Sequence, residues 1–155
     1  MAHPLIGIHA VLGEIGIFAF GWVFVELLNP TAQRLKRAHI IALLGVIFFI
    51  LSWITGGIYY VEFYGSIVKP IIKEGPQPWA HTVVMEAKEH IFLFIPFLAI
   101  INYLLIKNLK IQDNKKRKSI LMLSALIVAL GLLMALMGYL IATGLRSALE
   151  VMHVS

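Results

Sequence analysis

Four long apolar stretches separated by short polar ones set the pattern of this chain. The first runs from about Pro4 to Leu28, and Asn29-Pro30 ends it, since proline cannot continue a helix and restricts the residue before it. Residues 31–38, TAQRLKRA, read as a short basic turn. The second stretch extends from about His39 to Tyr60 and on to Tyr64, with tyrosines crowded at its far end as in an interfacial aromatic belt. Residues 65–80, GSIVKPIIKEGPQPWA, carry three prolines and two glycines, and this punctuation predicts a structured loop with one apolar side rather than a helix. A third stretch covers 81–107, a basic loop 107–118, and the most hydrophobic stretch about Ser119 to Leu145, before a short tail, SALEVMHVS. No repeat of the 20–50-residue kind interrupts this order.

Each stretch reaches the ~20 residues, at ~1.5 Å apiece, that a helix needs to cross a bilayer. The expected fold is therefore all-α: an integral membrane four-helix bundle, up-down-up-down, forming a single domain over 1–155 with spans at about 4–28, 39–64, 81–107 and 119–145. Glycines in the first, second and fourth spans, among them Gly13, Gly16, Gly56, Gly57 and Gly138, permit close backbone approach.

Composition agrees. At 60% hydrophobic and 14% charged, 155 residues hold more apolar sequence than one soluble core can hide. The net charge of +5 is concentrated rather than spread: nine of the thirteen Lys and Arg lie in or beside the two loops around Arg34–Arg37 and Lys107–Lys118. By the positive-inside rule those loops are cytoplasmic, and both termini and the 65–80 loop face out. The location expected is a bacterial or archaeal inner (cytoplasmic) membrane. The basic excess then serves topology, with anionic lipid as its partner and no case for nucleic acid. There is no cysteine, which removes disulfides, thiolate metal sites and covalent haem attachment. The N-terminus lacks the basic n-region of a cleavable signal peptide.

The third stretch carries the chemistry. Its clean apolar run, Ile91 to Ile106, is too short to span, so the helix must extend back through His90, Glu89, Lys88 and Glu86. Ionisable groups held at membrane depth are costly and point to function. Five of the six histidines (all but His39) and six of the eight acids fall on the predicted outer side, which places any chemistry near the outer leaflet. Counted from the inner helix ends, His9 lies ~30 Å up, His90 ~25 Å and Glu14 ~22 Å.

Two histidines at similar depth on different helices are what a b-type haem needs as axial ligands, with the bundle interior as apolar slot. His9 shares a face with Gly13 and Gly16, so a ring could lie against bare backbone there. Arg146 or His81 would then meet the propionates, and Glu86 or Glu14 would handle protons. A second possibility is a divalent ion (Zn, Fe or Mn) held by His9 and His90 with Glu86, Glu14 or Glu62, since Glu86 and His90 share a face at i, i+4. The remaining histidines are weaker signals: His3, His81 and His153 read as solvated, and His39 as an interfacial group. Glu26 is expected to reach water or a loop cation, and Met134 and Met137 to pack, with methionine as an axial ligand the minor option.

With His9 in the first helix, His90 in the third and glycines around them, the chain resembles the small four-helix membrane cytochromes of b type. That resemblance implies one haem b and electron transfer between a lipid-soluble or outer-face donor and an acceptor, with quinone or an outer-face redox protein as partner. A homodimer or larger complex would complete the electron path. A looser similarity, to four-helix membrane proteins that oxidise protoporphyrinogen, lacks their motif. Two further classes stand beside the cytochrome: a His/Glu metal-dependent membrane enzyme or transporter, and a structural accessory subunit.

Overall fold

The computed structural model describes residues 3–154. Its long elements are four helices, α1 (Pro4–Leu28), α2 (Ala32–Glu74), α3 (Ala80–Lys107) and α4 (Asn114–His153), each long and apolar enough to cross a membrane. No strand occurs among the described residues. Each helix packs on its chain neighbours, and α1 also packs on α4, which closes the four into a ring.

The helix starts follow from capping. The His3 side chain accepts from the Leu5 N–H at 3.3 Å with Pro4 opening α1, and Thr31 Oγ1 accepts from the Arg34 N–H at 3.2 Å. Asp113 Oδ1 accepts from the Lys116 N–H at 3.0 Å to start α4. Such caps satisfy donors that the first turn leaves without intrahelical partners.

Three expectations about element ends need correction. The 65–80 segment is mostly helix: α2 continues through π turns at Tyr60–Val68 and α turns at Lys69–Glu74, and the chain turns only across residues 75–79. Pro70 lies just past the π-to-α junction, where its missing N–H leaves no donor unpaired. The basic 31–38 segment belongs to α2 from Ala32 on, and the 146–153 tail continues α4.

Glycine sets the contact between α1 and α2. A Cβ on Gly16 would lie 2.8 Å from the Phe49 ring, and one on Gly45 would lie 2.8 Å from the Phe20 ring. Each helix thus offers a glycine to the other's phenylalanine, and the two rings stack at 5.7 Å. This pair sits in the central core with Val46, Ile95, Ala99, Ile127 and Met134. A second core, with Leu27, Ala38, Ile106 and Ile120, lies at the end that carries the basic connections. The third, with Tyr64, Ile72, Ala80 and Ile141, lies at the end that holds the termini.

At the basic end Glu26 is buried and fully engaged. Arg34 Nε and Arg37 Nε each donate to its carboxylate at 2.8 Å, and Trp22 Nε1 adds a bond at 3.0 Å. The expected pairing with a loop cation is therefore present, and it staples the α1–α2 connection.

Candidate functional site

The central cavity lies in the half of the ring nearer the termini, has a volume of about 350 Å³, is open on the side of the exposed Ala10, Glu14 and Tyr139, and takes lining residues from all four helices. Its wall is mostly apolar or bare backbone: Gly7 and Gly13 on α1, Phe49 on α2, Phe92, Ile95 and Pro96 on α3, and Gly131, Met134 and Gly138 on α4. The polar groups are few: His9 and Glu14 from α1, Ser52 from α2, Lys88 from α3 and Tyr139 from α4. An apolar hollow with a small number of polar groups is the usual form of a small-molecule site.

His9 is the most fixed of these. Its Nδ1 lies 2.9 Å from the Ser52 carbonyl oxygen, which can only accept, so Nδ1 carries the proton. Ser52 Oγ, 3.0 Å from Nδ1, donates its own proton to the His9 carbonyl at 2.9 Å. The ring also meets the edge of Phe92 at 5.4 Å, and a Cβ on Gly56 would lie 2.6 Å from Nδ1. With Nδ1 occupied, Nε2 keeps its lone pair. A histidine whose other nitrogen is tied to a backbone carbonyl is the form that ligates metals.

Lys88 is the other telling group. Its Nζ would lie 3.2 Å from a Cβ on Gly138, so the ammonium reaches across the cavity to α4. Among the described residues no carboxylate lies within 4.0 Å of it, although Glu14 lines the same hollow. A cation in apolar surroundings without a counter-ion is expensive.

The expected ligand pair is only half assembled. His90 is exposed, and its Nδ1 donates to the Glu86 carbonyl one turn back. It lies two residues from both Lys88 and Phe92, which face the cavity; at 100° per residue it falls on the opposite side of α3. Glu86 shares that outward face. Glu62 is exposed on α2, outside the cavity. Among the described residues no three His, Cys, Asp or Glu side chains come together as a metal site, so the set His9, His90, Glu86, Glu14 and Glu62 does not converge.

The outer propionate partners also separate. Arg146 is exposed, one turn beyond the cavity-lining Ala142 and on the same face of α4. His81, expected to be solvated, is instead buried, with Nδ1 3.0 Å from the Tyr64 hydroxyl. His3 packs its ring on Phe63 at 3.9 Å. Sequence reasoning missed Ser52, which orients His9, and the inward aim of Lys88. The spacing Lys88–Phe92–Ile95–Pro96, a single helical face, was the available signal for the second. No protein-family model matches the sequence, and comparison with curated proteins and with solved structures finds no similar protein.

Proposed function

We propose that this chain is a membrane b-type cytochrome that holds one haem b in the central cavity, with His9 Nε2 as an axial ligand. The observation that carries this reading is the His9 ring itself: anchored through Nδ1–H to a backbone carbonyl, backed by Gly56, and lining an apolar hollow whose walls include four glycines. The residues fit the group. Gly7 leaves open backbone on which a flat macrocycle could lie, while the space beside Gly13, Gly131 and Gly138 is met by Ser52, Ile17 and Lys88, the last of which offers a cation to a propionate. Met134, on α4 in the same lining, would replace His90 as the second residue holding the iron, and a His/Met pair would raise the haem potential. Bound haem supplies one-electron chemistry; the protein fixes the ligand tautomer, excludes water and sets the local charge.

In this reading the helices run up-down-up-down with the basic connections cytoplasmic, and the cavity lies in the outer half. Electrons pass between a lipid-soluble donor such as quinone, or an outer-face redox protein, and an acceptor, with Glu14 in the cavity wall placed for coupled protons. Glu86 faces away from the cavity and loses that role. A second reading is favoured by Lys88 alone: a quinone or other amphiphile whose oxygen accepts from the ammonium, with no iron involved.

Absorption spectra of purified single variants test the ligand assignment. His9→Ala is expected to abolish the Soret band and Met134→Leu to shift it, while His90→Ala leaves it unchanged. A wild-type Soret band that disappears in His90→Ala and survives in His9→Ala would overturn the assignment.

A further inference from the structure

At the basic end a smaller hollow of about 260 Å³ opens between the start of α2 and the end of α3. Its lining is Ala32, Leu35, Lys36 and His39 from α2, Ile106 and Lys107 from α3, and Leu109 just beyond. We propose that it is a phosphate-binding site, and that the phosphate is the headgroup of an anionic phospholipid.

Charge accounting gives the first argument. Two carboxylates lie at this end, and both are engaged: Glu26 by Arg34 and Arg37, and Asp113 by the Lys116 backbone N–H. Lys116 Nζ in turn donates to the Asn108 carbonyl at 3.0 Å. Among the described residues Lys36 and Lys107 have no carboxylate within 4.0 Å, and no acid is in the lining they share. Two cations in one lining that holds no acid favour an anion there.

A second argument is independent of charge. His39 Nε2 is shut away from solvent with no hydrogen-bond partner, while its ring is held by stacking on Tyr103 at 4.9 Å and 7°. A buried polar atom left unmatched is uncommon and marks a missing partner. A phosphate oxygen against the ring would accept from the Nε2–H tautomer of this imidazole.

The surroundings distinguish lipid from free phosphate. Directly along α2 and α3 from the hollow, Ile40, Leu43, Leu44 and Leu104 are exposed apolar side chains, a surface on which acyl chains can lie while the headgroup occupies the hollow. Inorganic phosphate would use the cations and leave that surface idle.

Native mass spectrometry of the detergent-purified, delipidated full chain tests this, with phosphatidylglycerol, phosphatidylcholine and inorganic phosphate as probes. Phosphatidylglycerol is expected to be retained at one per chain and to bind about tenfold or more above phosphatidylcholine. The double variant Lys36→Gln/Lys107→Gln should lose that preference, whereas Lys110→Gln/Lys118→Gln, with the same charge change on exposed residues, should keep it. Equal losses in the two double variants would show a diffuse charge effect and overturn the site. Displacement of the lipid by inorganic phosphate would overturn the lipid assignment. All four lysines are exposed, and unchanged helix content by circular dichroism confirms that each variant folds.

Discussion

Single side chains set both the cavity and its surroundings. His9 is oriented by Ser52 and Gly56 on α2 and by Phe92 on α3, so a residue of the first helix depends on two others for its aim. Asn102 is the counterpart nearer the basic end: fully buried on α3, it donates through Nδ2 to Ser124 Oγ at 2.9 Å and to the Ile120 carbonyl at 3.3 Å on α4. Interhelical bonds of this kind within membranes contribute about 0.6–1.7 kcal/mol. Asn102→Ala should therefore destabilise by about 1 kcal/mol in an equilibrium unfolding titration. Asn108→Ala, which removes only an exposed bond to the Leu104 carbonyl, should be near neutral; equal effects would refute the interhelical role. At this scale the depth of His9, Glu14 and His90 was legible, because helix rise is a fixed length per residue. Direction was less so: His90 and Lys88 lie at nearly one depth on either side of Glu89, and only the single face Lys88–Phe92–Ile95–Pro96 hints which of them the packing of α3 turns inward.

Among whole elements, the four helices were evident from apolar length alone, and α1 matches its expected bounds of Pro4 and Leu28. The ends of α2 and α4 were not, since glycine and proline in residues 65–80 signal a loop unless π turns absorb them. Those turns carry the Tyr60–Tyr64 stack, 5.4 Å between ring centroids, and the buried Tyr64–His81 contact. The contact between α1 and α2 yields a second prediction. Gly45→Ala would drive a methyl into the Phe20 ring, which is fully buried and stacked on Phe49 and cannot yield. Overpacking of this sort costs about 1–3 kcal/mol. Gly21→Ala, with no neighbour within 4 Å of the added methyl, should cost nothing or slightly stabilise. Thermal unfolding of the two variants in one detergent reads the difference, and a similar melting temperature for both would contradict the glycine–phenylalanine interlock.

The molecule as a whole is divided between its two ends. One gathers Glu26, its arginines and the lysine-flanked hollow; the other gathers most of the histidines and acids, with the His9 cavity between them and the central core. That division was visible in the charge pattern, because the lysines and arginines of the two basic connections cluster by sequence as well as in space. The convergence of side chains from all four helices on one cavity was not, since it depends on contacts between residues as distant as His9 and Ser52. The central claim is that this cavity holds a haem on His9. The most direct test is the absorption spectrum of the protein purified after haem-replete expression, oxidised and then reduced with dithionite. The account predicts a Soret band that shifts and an α band that sharpens on reduction, at one haem per chain. A colourless protein under those conditions would contradict it.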